Sequence, residues 1–178
     1  AGGFHHSFPD RAEGFCYIND VALAAAWLLN ENESNRIMIV DCDLHQGNGT
    51  AYIFKDEPRI FTFSIHQQNN YPIKRESDLD VGLPDHCSGD EYLRQLRQNL
   101  TGAFQDFPAD FLIYVVGADP YEDDQLGSLQ LTKKDLRNRD DIVCNMAAEK
   151  NLPLAAMLAG GYATDVKHTA EIHLNTAR

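Results

Sequence analysis

At 178 residues, 43% hydrophobic and 24% charged, the chain has the size and make-up of one globular unit with a real core. A net charge of −12 argues against a nucleic-acid surface or an anionic-membrane surface of its own, and no stretch approaches the length of a transmembrane helix. The four cysteines Cys16, Cys42, Cys87 and Cys144 are widely spaced with no Cys-x-x-Cys pair, which excludes a disulfide scaffold or thiolate zinc site and, with no signal-peptide pattern, points to a reducing, intracellular setting.

In chain order, the first signal is Gly2-Gly3-Phe4-His5-His6. Paired histidines behind two glycines suit close backbone approach to a ligand, although taken alone they are equally a surface turn. Val21 to Leu29 is an apolar, alanine-rich helix with Trp27 expected in the core. Arg36 to Val40 is a buried strand and leads into Asp41-Cys42-Asp43-Leu44-His45-Gln46-Gly47-Asn48-Gly49-Thr50. In extended backbone, positions i, i+2 and i+4 share a face, so Asp41, Asp43 and His45 converge while Cys42 points into the core. Such a trio is costly to bury unless a divalent metal holds it. A lone Asp-x-His would more simply be a solvated strand end. A helix is expected from near Thr50.

Ile60 to Ile65 is the next strand, followed by His66, read as a satisfied structural histidine. Gln67 to Gly89 has no clear periodicity and reads as a long loop of functional or surface-shaping role. Ser88 and Glu91 form a capping-box signature for a helix over Asp90 to Phe107, and Thr132 with Asp135 forms an acidic variant for Thr132 to Glu149. Phe111 to Val116 is a strand followed by Gly117-Ala118-Asp119-Pro120, which alone would be a turn. Leu154 to Leu158 is a strand followed by Ala159-Gly160-Gly161-Tyr162, which alone is a glycine turn. A last helix carries His168 and His173 from Thr164 toward Asn175. Strands alternating with helices predict a parallel sheet covered on both faces, with its polar motifs at the strands' carboxyl ends, where ligands bind in such sheets.

The ordered series Gly-Gly-x-His-His, Gly14-Phe15-Cys16-Tyr17-Ile18-Asn19-Asp20, Asp-x-Asp-x-His-x-Gly-Asn-Gly-Thr, Gly-Ala-Asp and Gly-Gly-Tyr spans nearly the whole chain. It resembles the zinc-dependent histone deacetylase family, most closely the branch of class IV and related bacterial deacetylases. The resemblance implies an arginase-like α/β fold with a central, mainly parallel sheet between helices, and a single catalytic domain over 1–178 without the family's usual N-terminal portion. It further implies removal of an acyl group, by default acetyl, from Nε-acyl-lysine by metal-activated water. Acetylated polyamines and longer acyl-lysines are the alternatives, and a non-catalytic acyl-lysine-binding fragment is the reading of a different kind.

By the same resemblance, Asp43, His45 and Asp119 are the zinc ligands, a mixed N/O set that Fe(II) also suits. His5 and His6 are the proton-handling pair, backed by Asp41 and Asn48, with His6 as general base. Tyr162 donates to the substrate carbonyl. Gly14, Phe15, Tyr71, Gly160 and Gly161 border the lysyl channel. Asp41, Asp43, His45, Ser64 and Ile65 match the positions of a structural potassium ion. The implied partners are acylated-lysine proteins or acetylated small amines, in the cytoplasm or a nucleus, with no nucleic acid and no membrane. A dinuclear arginase-type site would need a carboxylate where Gly47 stands.

Overall fold

The computed structural model describes residues 2–178. Five strands, β1 (Ile37–Asp41), β2 (Ile60–Gln67), β3 (Leu79–Leu83), β4 (Phe111–Val116) and β5 (Leu154–Leu158), form one sheet in the order β3-β2-β1-β4-β5. Every neighbouring pair is parallel, with Asp41 of β1 opposite Ser64 on one side and Val115 on the other. Five helices complete the chain: α1 (Asp20–Asn30), α2 (Asn48–Phe54), α3 (Gly89–Asp106), α4 (Lys133–Glu149) and α5 (Val166–Thr176).

The apolar runs of β1 and β4 work on both faces because successive side chains alternate. Ile37 and Ile39 join Val21, Ala25 and Leu29 of α1 and Phe54 of α2 in one core. Met38, Val40 and Cys42 join Tyr92, Leu96 and Leu100 of α3 and Leu136 and Val143 of α4 in the other. The result is the expected three-layer arrangement, helices over both faces of a parallel sheet. Among the described residues, no helix is long and apolar enough to cross a membrane.

Several expectations are corrected. The stretch from Gln67 to Gly89 is not all loop, because β2 runs on to Gln67 and Leu79–Leu83 adds the edge strand β3. Trp27 is 58% exposed rather than core; α1 is apolar all round, and its buried stripe is Val21, Ala22, Ala25 and Leu29. Continuous apolar character does not bury β5 on both sides either. It is a sheet edge, and Ala156 and Leu158 are exposed.

The capping boxes also divide. Thr132 and Asp135 make both reciprocal bonds. Ser88 accepts from the Glu91 N–H at 3.3 Å, but the Glu91 carboxylate turns away to Arg94 and Gln95.

Candidate metal centre and active site

The strand order reverses between β1 and β4: the chain leaves β1 toward β2 and β3, then returns to place β4 on the other side. Loops at the carboxyl ends of two such strands diverge and leave a crevice, the usual ligand position in an open parallel sheet. The Asp41–His45 segment leaves β1 there, Asp119 follows β4, and Gly160 follows β5.

Beyond Asp41 the backbone is no longer extended. The Asp43 N–H donates to Asp41 Oδ1 at 3.1 Å, and the His45 N–H donates to Asp43 Oδ1 at 2.9 Å. These i-to-i+2 bonds curl the chain, so convergence comes from the curl rather than from strand alternation. His45 Nδ1 lies 3.3 Å from Asp43 Oδ1 and 3.3 Å from Asp119 Oδ2. One donor atom from each of Asp43, His45 and Asp119 falls within 4.8 Å of the others, and all three residues are buried.

The electrostatics of this trio call for a cation. Burial, then the charge of Asp43, pushes the Asp119 carboxyl up to about 7. Burial opposes protonation of His45, but Asp119 and Asp43 overcome it and carry the imidazole up to about 10. Burial also opposes the charge of Asp43, yet His5 and His45 hold its carboxyl below the usual carboxylate range. Asp119 Oδ2 is buried without a well-aligned hydrogen-bond partner among the described residues. An acceptor left bare beside a carboxylate and an imidazole is what a divalent ion would complete, so the donor set fits one.

The glycines around the trio leave no room for side chains. A Cβ on Gly160 would stand 2.2 Å from Asp119 Oδ2 and 2.7 Å from Asp43 Oδ2, and the Gly160 N–H donates to Asp43 Oδ2 at 2.9 Å.

His5 and His6 lie against this centre with ring centroids 4.1 Å apart. His5 Nδ1 is 2.6 Å from Asp41 Oδ2, and its Nε2 is 3.8 Å from Asp43 Oδ1. Burial opposes its charge, but Asp41 and Asp43 win and lift it to about 9. His6 Nδ1 instead meets a neutral partner, Asn48 Oδ1, at 2.8 Å. Burial and the neighbouring His5 push it down to about 3. Two adjacent imidazoles are thus driven in opposite directions: Asp41 and Asp43 lift His5 against its burial, while His6, with only an amide on Nδ1, yields to burial and to the charge of His5.

Tyr162 borders the same cavity, which has a volume of about 740 Å³. Burial and the nearby Asp119 and Asp43 push its phenol up to about 12, so it stays a hydrogen-bond donor at neutral pH. Phe15 and Tyr71 stand at the exposed side, with the Tyr71 ring 5.1 Å from His6 and the Phe15 ring 6.0 Å from Tyr162. Gly14, at φ +55, packs against His6; a Cβ there would fall 2.4 Å from the ring. Gly161 is on the wall beside Gly160. One cavity therefore gathers His5, His6, Asp43, His45, Asp119 and Tyr162.

The histone deacetylase domain model matches residues 1–177. The chain belongs to the histone deacetylase family. It is 41% identical over 167 residues to an uncharacterized protein of Picosynechococcus, covering 93% of this chain and 56% of that one. Against histone deacetylase 2 of Arabidopsis thaliana the identity is 34% over 165 residues, covering 90% of this chain and 43% of the relative. The crystal structure of an HDAC homolog complexed with SAHA superposes with a TM-score of 0.83 at 25% identity, covering 99% of this chain and 51% of that one. The fold is the arginase/deacetylase-like one, and the chain spans about half the length of the relatives it matches.

Within this deacetylase-family chain, several supporting residues gave no sequence signal. Arg139 of α4 is fully buried, and its guanidinium donates to the carbonyls of Gly117 at 2.6 Å and Cys42 at 3.3 Å. It therefore ties the β1 loop carrying Asp43 to the β4 loop carrying Asp119. Asp140 holds Arg139 at 2.9 Å and also accepts from Tyr114 and Thr176. Gln46 bonds the Arg75 backbone and Asp80, which pins its turn to β3 and the loop before it.

Asp124 is buried in the loop that follows Asp119. It accepts from the Tyr162 N–H at 2.6 Å, so it steadies the loop of the tyrosine. His66 is buried with Nδ1 2.9 Å from Ser64 Oγ, and burial pushes it down to about 4, in keeping with a neutral structural histidine. His168 packs edge-on to Tyr121, while His173 reaches the cavity wall.

Proposed function

We propose that the chain is a deacetylase catalytic unit that hydrolyses Nε-acyl-lysine, with acetyl as the default acyl group. The observation that carries this reading is the single cavity faced by a buried Asp43–His45–Asp119 trio, a histidine pair of opposed proton affinity, and a tyrosine hydroxyl. Asp43 and Asp119 through oxygen and His45 through Nδ1 would hold Zn(II), or Fe(II). A divalent ion there supplies Lewis-acid polarisation of the acyl carbonyl and lowers the pKa of water.

The chain's own groups do the rest. Phe15 and Tyr71 grip the aliphatic stem between aromatic faces. Tyr162 donates its hydroxyl hydrogen to the acyl oxygen and holds the negative charge that grows there as water adds. His6, neutral, accepts the proton that water loses, and Asn48 holds its ring in register. His5, kept protonated by Asp41, faces the same centre and stabilises negative charge. When the C–N bond breaks, the amine nitrogen takes the proton His6 received, leaving a free lysine and a carboxylate.

Asp41, Asp43, His45, Ser64 and Ile65 would hold a structural potassium ion; support for this is the register that sets Asp41 opposite Ser64. A second substrate class is favoured by the cavity itself. Its walls also include Gly2, Phe4, Leu158 and Ala159, largely apolar, which gives space for acyl groups longer than acetyl.

The test is amine release from a panel of acyl-lysine peptides and acetylated polyamines, using the metal-stripped chain resupplied with zinc. Restored hydrolysis that disappears in Asp43→Ala supports the reading and ranks the acyl groups. Zinc binding with no turnover of any member would overturn it in favour of a binding module.

A further inference from the structure

Both histidines need a partner on Nδ1, but only His5 has a carboxylate there. Asn48, the partner of His6, is an amide with an ambiguous orientation: it could present oxygen or NH2 to the ring. Its far side resolves the ambiguity. Asn48 Nδ2 lies 2.8 Å from Glu13 Oε1, and a carboxylate can only accept. The NH2 must therefore face Glu13, the Oδ1 must face His6, and His6 Nδ1 at 2.8 Å must be the donor. That leaves His6 Nε2 with its lone pair free, the form a general base requires.

Glu13 is itself held in place. It exchanges both backbone hydrogen bonds with Cys16, at 3.1 and 2.9 Å. Its Oε2 accepts from Arg11 Nε at 3.4 Å, and Tyr71 Oη donates to its Oε1 at 3.4 Å. The Arg11 guanidinium in turn rests 3.6 Å over the Phe8 ring.

We propose that Glu13 is a positioning residue for the deacylation reaction: by orienting the Asn48 amide it sets the tautomer of His6. This deepens the proposed function and rests on His6 acting as the base. Glu13 touches neither substrate nor metal ligand in the argument; it acts through Asn48.

The experiment combines a tautomer measurement with kinetics on the full chain. Long-range 1H–15N spectra report which ring nitrogen of His6 carries hydrogen, with His6→Gln identifying its signals. The wild type is expected to show hydrogen on Nδ1. Glu13→Gln should show a mixture or the reverse, because its amide can face Asn48 either way round. Its kcat on an acetyl-lysine peptide should fall about tenfold with KM within about twofold, a part of the usual general-base contribution.

Adding Asn48→Asp to Glu13→Gln should restore Nδ1–H, since a carboxylate accepts from His6 in any orientation, while kcat stays low because a carboxylate partner also raises the proton affinity of His6, as Asp41 does for His5. Asn48→Asp alone should do worse than this double variant, because two carboxylates would then face each other. A purely structural Glu13 would show no such rescue. Unchanged Nδ1–H in Glu13→Gln, or no rescue in the double variant's spectrum, overturns the proposal. If the spectra respond as stated while the wild type with zinc hydrolyses no acyl substrate, the relay stands and the deacetylase reading fails.

Discussion

At the residue scale, the candidate site is a set of charges that are tolerable only together. Asp43, His45 and Asp119 are buried with donor atoms within 4.8 Å of one another, His45 Nδ1 lying 3.3 Å from each carboxylate, and burying them is offset by a cation or by shared protons. Tyr162→Phe removes the hydroxyl donor and should lower kcat by about 10²–10³, the range for loss of one oxyanion donor, with KM nearly unchanged in steady-state assays. Gly160→Ala is predicted to be as damaging as loss of a ligand, because its methyl would occupy the space of the Asp119 and Asp43 oxygens. Zinc-binding calorimetry checks this, and wild-type affinity in Gly160→Ala would contradict the geometry.

Residue-level signals were legible where chemistry and strand ends coincide: Asp41, Asp43 and His45 follow one apolar run and Asp119 another. Arg139 was not legible. An arginine in a helix reads as solvent-facing, and only the folded chain shows its guanidinium satisfied by two loop carbonyls and Asp140. Glu13 gave no signal because its significance lies in a contact 35 positions away.

At the element scale, α4 and the β1 and β4 loops act as one part through Arg139. Arg139→Met should lower unfolding stability by about 3–5 kcal/mol, the cost of leaving a buried ion-pair partner alone, and should weaken zinc binding as well. Denaturant melts and calorimetry on the same variant would show both.

A second joint lies below the sheet. The Asp110 carboxylate, just before β4, accepts from Ser34 Oγ at 2.5 Å, from the Arg36 N–H at 3.0 Å and from the Asn35 N–H at 2.9 Å. Burial works against its charge, but these donors outweigh it and hold its carboxyl below the usual range. A depressed folded-state pKa means its stabilisation is present in full above the unfolded-state value and is lost as pH falls through the folded-state value. Asp110→Asn should therefore cost about 1 kcal/mol at neutral pH, discounted for its partial exposure, and the gap to wild type should close in acid. Urea melts at several pH values measure that difference, and a gap that widened in acid would refute the sign.

Strand β3 shows why elements at edges are harder to read. Leu79-Asp80-Val81-Gly82-Leu83 pairs on one side only, mixes exposed and buried positions and contains glycine, so it lacks the continuous apolar signature of β1 and β4. Helix α1 illustrates the converse, since an all-apolar pattern carries no information about which face is buried.

At the scale of the whole molecule, the parallel sheet delivers its function by topology. The order β3-β2-β1-β4-β5 opens a crevice between β1 and β4, and the residues of the family motifs gather at that end. The alternation of strands and helices made this architecture readable before the structure. Distances between motifs 40 to 120 positions apart were not readable, because they are set by packing of both cores.

A divalent ion held by Asp43, His45 and Asp119 would join the loops after β1 and β4 and bind only the folded chain, so zinc should raise the melting temperature in proportion to the logarithm of its concentration above Kd. The central claim is that Asp43, His45 and Asp119 hold a divalent ion that this chain uses to hydrolyse an acyl-lysine. The most direct measurement is amine release from an acetyl-lysine peptide as zinc is titrated into the metal-free chain. The account predicts that activity rises to a plateau at about one zinc per chain and is lost in Asp43→Ala. Activity that ignores zinc, or survives in Asp43→Ala, would contradict it.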